Sequence, residues 1–226
     1  MSVSILLLGA TGASGLAFIQ AALSQPNPPK LTLYVRSRAK LPAGIEGQTR
    51  VVEGSLTDKD ALLKAMDGVD TVVSVLGAYI TLSAFVFRTT TTPIADSFPH
   101  ILAAMRAKGA KRIFALSTPS FSPDPAEVFP LKWKVMGAMP KIVVPQGNAE
   151  MVAIGKAVSA ADDLDWTVFR VPHLTDESAD LPVAAGLLGP EYKGTGDLSR
   201  PSMAKWILKE IEEGEWVKKA PVLSNY

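Results

Sequence analysis

Short runs of large aliphatic residues alternate with amphipathic stretches along most of this chain. Ser4–Leu8 is apolar after its first residue, the pattern of a strand covered on both faces. Ser14–Ser24 follows with helical character and is stopped by Pro26, Pro28 and Pro29. The same pattern predicts further strands at Leu31–Val35, Arg50–Glu53, Thr71–Leu76, Lys111–Leu116 and Trp166–Val171. Helices are predicted from Thr57 or Asp58 to Met66 with Gly68 as C-terminal cap, over Pro93–Lys108 ending at Gly109, and over Ala149–Ala160. Strands separated by helices in this order mean βαβ units: an α/β fold with a doubly wound parallel sheet and helices on both faces. At 226 residues the expectation is one domain spanning 1–226.

Two connections break the rhythm, 78–92 and 119–147, and both follow strand C-termini. The second is proline-rich yet carries Phe121, Phe129, Trp133, Met136 and Met139. In an open parallel sheet ligands bind beyond the carboxyl ends of the strands, where these segments lie. They are expected either to cover a substrate or to pack on the sheet or on another subunit.

Composition narrows the function. Hydrophobic content of 47% and charged content of 20% exclude a disordered chain. A formal charge of +1, without a Lys/Arg-rich run, argues against a nucleic-acid partner. Cysteine is absent, which removes disulfides, thiolate catalysis and Cys-ligated metals; two histidines, His100 and His173, are too few for a histidine metal cluster. Ile5–Leu23 is nearly uncharged, but no basic segment precedes it and glycines divide it, so no membrane association is expected and the location expected is cytoplasmic.

The glycines explain that first apolar stretch. In "ILLLGATGASGLA", Gly9 ends the strand and permits a sharp turn, Gly12 lets backbone approach a pyrophosphate, and Gly15 lets the helix pack close to the strand. The helix start adds unpaired N–H groups and about half a positive charge. Gly9, Thr11, Gly12, Ala13, Ser14 and Gly15 thus form a candidate phosphate cradle of the Rossmann kind, with one residue more between the first two glycines than the usual fingerprint. At the end of the second strand, where NAD-binding folds often place a carboxylate for the ribose, stands Arg36, with Arg38 and Lys40 beyond. A guanidinium grips a 2′-phosphate through charge-assisted hydrogen bonds, so the expected cofactor is NADP(H). A solvated basic loop is the plainer alternative.

The sequence of motifs "GATGASG", "YVRSRAKL", "VVEGSLTD" and "VDTVVSVLG", with "DWTVFRVPHLTD" and "SRPSMAKWILKEIEEG", resembles the atypical short-chain dehydrogenase/reductases. These include the NmrA-like proteins and the biliverdin-IXβ/flavin reductase group. The resemblance implies that Ser55 and Leu56 lie near the adenine, with Ser55 replacing the family's aspartate. It also implies that Gly77 and Ala78 pass the ribose and nicotinamide, with Pro172 among the cofactor contacts. The Tyr-x-x-x-Lys pair of ordinary members is missing: none of Tyr34, Tyr79, Tyr192 and Tyr226 has a lysine four residues on. Ser117 and Thr118 after the fifth strand, and His173 after the sixth, are the catalytic candidates that remain. By resemblance a histidine at the His173 position and a serine at the Thr118 position belong to the active site; a structural role for His173 stays open. Asn148 and Glu150 stand where the missing tyrosine would be, and either is a substitute. Glu150 is equally a carboxylate at a helix start.

The expected activity is an NADPH-dependent reductase acting on a small apolar or conjugated acceptor such as a quinone, flavin or enone. The alternatives are an NADP(H)-binding redox sensor that works through a protein partner, or an isomerase or cyclase on the same fold.

Overall fold

The computed structural model of the protein describes residues 3–78, 90–125 and 127–226, with backbone alone for 136–140. Residues 79–89 of the 78–92 connection, Tyr79 among them, and the side chains of Met136 and Met139 lie outside the described residues. The apolar run at the start forms β1 (Ser4–Leu8), with Leu6, Leu7 and Leu8 fully buried. It is followed by α1 (Ala13–Leu23), β2 (Lys30–Val35), β3 (Arg50–Glu53), α2 (Lys59–Ala65) and β4 (Thr71–Ser74). Then come α3 (Phe98–Lys108), β5 (Arg112–Ser117), α4 (Leu131–Val143), α5 (Pro145–Ser159) and β6 (Asp165–Arg170). The chain closes with β7 (His173–Thr175), β8 (Val183–Gly186), β9 (Asp197–Ser199), α6 (Arg200–Glu213) and β10 (Val222–Asn225).

The main sheet runs β3-β2-β1-β4-β5-β6-β10-β8, parallel except where β8 pairs antiparallel with β10. β7 and β9 form a separate parallel pair. The order reverses at β1, which is bonded to β2 on one side and β4 on the other. That reversal opens a crevice at the strand C-termini, where ligands bind in doubly wound sheets. This is the Rossmann architecture that the alternation of patterns predicts.

Three expectations need correction. The 119–147 segment is not one loop: residues 131–143 are helical, and α5 begins at Pro145 rather than Ala149. Two of its prolines stand at helix starts, since the Pro130 carbonyl accepts from Trp133 and Lys134 and Pro145 sits at the first turn of α5, where its missing N–H costs nothing, while Pro140 lies within the helical stretch 131–143. The predicted helix 93–108 is a 3₁₀ turn, Ala95–Ser97, followed by α3. β4 ends at Ser74, two residues short of the predicted end.

The irregular part of that segment is anchored by a buried ion pair. The Arg170 guanidinium donates from Nη1 and Nη2 to the two Glu127 carboxylate oxygens, each at 2.7 Å, and neither side chain is exposed at all. Its Nε also donates to Ala220 O and its Nη1 to Phe121 O, while Ser122 Oγ and Leu188 N donate to Glu127. Burial alone pushes the Glu127 carboxyl up, but the hydrogen bonds from Arg170 and Ser122 and the arginine's charge outweigh it and hold the carboxyl below its ordinary value. The folded state therefore holds Glu127 ionised more firmly than the unfolded chain does. Its contribution is fully present above the ordinary carboxylate pKa of about 4.3 and is lost as the pH falls through the lower folded value. Thermal unfolding midpoints followed into the acid range are expected to fall more steeply for the wild type than for Glu127→Gln.

Candidate functional site

Two adjoining cavities lie at the C-terminal edge of the sheet. The first, about 380 Å³, is lined by Gly9, Thr11, Arg36, Ser55, Leu56 and Glu150 among others. The second, about 430 Å³, is lined by Gly77, Ala78, Thr118, Asn148, Pro172 and His173 among others. They meet at consecutive residues, since Leu76 lines the first and Gly77 the second. Most of the sequence's cofactor and catalytic candidates thus gather along one edge, while Gly12, Ala13, Ser14, Gly15 and Arg38 line neither cavity.

The three glycines of the first turn have distinct causes. Gly9 has φ +88°, and a Cβ there would stand 3.1 Å from the Val75 carbonyl carbon. At Gly15 a Cβ would stand 2.7 Å from the Ala10 Cα, backbone that cannot swing aside. Gly12 is different: its φ is −85°, and the nearest atom to a Cβ is Gly9 O at an ordinary 3.5 Å. The chain's own packing does not demand glycine at that position. Gly12 is also the N-cap of α1, makes no side-chain cap bond, and is followed by a first turn with no acidic residue. Ala13, Ser14 and Gly15 form that turn, so an anion is the natural complement to its N–H groups. Gly15→Ala is expected to weaken binding of every dinucleotide and to lower stability by about 1–3 kcal/mol, because the helix must shift from the strand. Calorimetric titration and urea unfolding of the variant check both effects.

Arg36 lines the first cavity. Arg38 is turned elsewhere: its Nη2 donates to Val51 O at 2.7 Å and its backbone N–H to Glu53 Oε2. The Tyr34 hydroxyl donates to Ser55 O at 2.6 Å under the cleft, and burial pushes its pKa up to about 12. Tyr34 is therefore neutral near pH 7, with its hydroxyl proton engaged by Ser55 O. Glu150 is buried, and accepts from Ala95 N at 2.6 Å at the entrance to α3. Desolvation pushes its pKa up, against the lowering effect of the Ala95 and Ile94 backbone bonds.

In the second cavity the Ser117 hydroxyl donates to Met151 O at 2.8 Å, so this candidate already has an internal partner. Thr118 Oγ1 and Asn148 Oδ1 are buried and have none among the described residues. Buried polar atoms without a protein partner are uncommon, and a water, an ion or a ligand can meet them. His173 and Asp197 face each other in the β7–β9 register, with Nδ1 and Oδ1 at 2.8 Å. Both remain largely exposed, at 70% and 64%. Asp197 carries no sequence signal, because its role comes from pairing two three-residue strands.

A glycine turn between strand and helix and a crevice at the switch point are features of dinucleotide-binding folds. A sequence profile described as NAD(P)H-binding matches residues 9–214. The chain belongs to this NAD(P)H-binding family. Among solved structures, it resembles a short-chain dehydrogenase/reductase (wide type) from Veillonella parvula in complex with NADP, at 18% identity and TM-score 0.77, covering 100% of this chain and 95% of that one. A Rossmann-fold NAD(P)-binding protein from Shigella flexneri matches at 21% identity and TM-score 0.70, covering 100% and 94%. ChuY, an anaerobilin reductase from Escherichia coli O157:H7, matches at 14% identity and TM-score 0.74, covering 99% and 97%. At these identities the likeness is one of fold. No helix among the described residues is long and apolar enough to cross a membrane.

Proposed function

We propose that this NAD(P)H-binding protein is an NADPH-dependent reductase of a small, conjugated acceptor such as a quinone, flavin or enone. The observation that carries the reading is Arg36 in the crevice beside the uncapped start of α1, with the second cavity adjoining at Gly77. The α1 turn would hold the pyrophosphate, Arg36 the 2′-phosphate, and the segment Ser55–Leu56 the adenine end. Gly77, Ala78 and Pro172 would flank the nicotinamide. The bound dinucleotide supplies a hydride to the acceptor.

The chain's own residues orient and protonate. Thr118 and Asn148 line the second cavity, and a side-chain rotation that uncovered their polar atoms would let the hydroxyl donate to an acceptor carbonyl and the amide oxygen accept from an amide N–H. If Nδ1 of His173 carries the proton shared with Asp197, Nε2 is its remaining nitrogen for exchange with water or acceptor. With no Tyr-Lys relay, acceptors whose reduced form takes its proton from solvent are favoured. Consumption of NADPH should therefore be seen with quinones or flavins. Turnover confined to saturated ketones or aldehydes would refute this acceptor class.

A sensor role has one observation in its favour. Leu131, Val135 and Ile142 of α4 are 77%, 59% and 65% exposed, an apolar display suited to a protein partner. Strong preference for one redox state of the cofactor, without turnover, would favour that reading; a reaction without net NADPH loss would favour an isomerase or cyclase.

A further inference from the structure

α4 carries a surface that cofactor binding and hydride transfer do not use. Trp133 is buried and holds the helix to the protein, packed with Leu188 and Val222 and edge-on to Tyr192 at 5.4 Å between ring centroids. Leu131 and Val135 stand two residues to either side of it, about 200° round an α-helix, and so face away. Ile142, seven residues after Val135, falls on the same stripe. All three are largely exposed, and Val128 before the helix and Val143 at its end are exposed with them. The Trp133 anchor thus turns an apolar stripe outward.

The charges beside the stripe decide what it meets. Lys134 and Lys141 are exposed and seven residues apart, so they form one row along its side. Lys132 borders the other side, where its Nζ donates to Thr195 O at 2.7 Å. From Val128 to Ala149 the chain has these three lysines and no acidic residue, although the whole protein carries only +1. An apolar stripe bordered by lysines, whose stems lie along apolar surface while their ammonium heads reach outward, suits a helix lying in the plane of an anionic lipid surface. A protein partner suits it less, because lysine is depleted at protein–protein interfaces. A second copy suits it least: pairing this face with itself, parallel or antiparallel, sets lysine rows against each other.

We infer that α4 is a docking helix for an anionic lipid surface. Leu131, Val135 and Ile142 enter the headgroup region, and Lys134 and Lys141 meet lipid phosphates. The contact is peripheral. It departs from the sequence expectation of no membrane association, because the exposure that signals it comes from tertiary packing. Val144 follows α4 directly and lines the second cavity, so docking brings that cavity beside the lipid. The inference does not depend on the reductase reading.

The test is flotation of the full chain with vesicles of phosphatidylcholine alone and of an equal mixture with phosphatidylglycerol. The wild type is expected to bind the mixed vesicles about tenfold or more tightly than the neutral ones, and to lose that margin as salt is raised. Lys134→Gln with Lys141→Gln is expected to remove the margin. Leu131→Gln with Val135→Gln is expected to weaken binding to the mixed vesicles by about tenfold. Glutamine is a good helix former and these positions are exposed, so both variants should unfold in urea as the wild type does. Lys30→Gln with Lys59→Gln removes the same charge at the other end of the sheet, and should bind the mixed vesicles like the wild type. Absence of wild-type flotation with the mixed vesicles overturns the inference and leaves the face to a protein partner. Binding that is unchanged in either α4 variant overturns it, as does an equal loss in the remote lysine variant. A dimer in sedimentation that Leu131→Gln with Val135→Gln dissociates assigns the face to a second copy and overturns it too.

Discussion

Glu127→Ala is expected to destabilise the protein by about 3–5 kcal/mol, measured by urea unfolding. The cause is not the loss of an attraction but what is left behind. Arg170 is fully buried, and without Glu127 its guanidinium keeps, among the described residues, the Phe121 and Ala220 carbonyls as partners. Leu188 N loses its acceptor in the same step, and Ser122 Oγ is left with Asp124 O. Whole domains are stable by only about 5–15 kcal/mol, so the variant should show reduced soluble yield as well. Because the pair ties the segment after β5 to β6 and to the chain between β8 and β9, residues beside the second cavity should loosen with it. Glu127→Met combined with Arg170→Met should cost less than Glu127→Ala alone, because no unpaired charge remains buried. A single variant that unfolds like the wild type would show that the pair is more hydrated than its burial implies.

Arg36→Ala is expected to weaken NADPH binding about ten- to a hundredfold and to leave NADH binding unchanged. The guanidinium has no counterpart to contact in NADH, which lacks the 2′-phosphate, so the two cofactors separate its contribution from that of the α1 turn. Arg38→Ala should have a much smaller effect, since Arg38 is tied to Val51 O and to Glu53. An equal loss for NADPH and NADH would mean that Arg36 supports the cleft without reading the phosphate.

The part of the site built from adjacent residues was legible in the sequence. Gly9 and Gly15 are explained by their own turn, where a positive φ and a close backbone approach leave no room for a side chain. Arg36 was legible because the end of β2 lies next to the β1 turn in any βαβ unit. What escaped notice depends on residues far apart in the chain. Glu127 meets Arg170 across 43 positions, and Asp197 meets His173 across 24. Neither pair leaves a local period or spacing to read. α4 was hidden for another reason: prolines in its surroundings read as breakers, although Pro130 and Pro145 occupy helix starts. The strands after β6 are three or four residues long, too short for an alternation to register.

The most direct test of the whole account is a calorimetric titration of the purified protein with NADPH, NADP+, NADH and NAD+. Binding of both phosphorylated forms, each tighter than its unphosphorylated counterpart by about tenfold or more, is the predicted result. Binding of none of the four would contradict the account at its root, the phosphate cradle formed by Gly9, Gly12 and the start of α1.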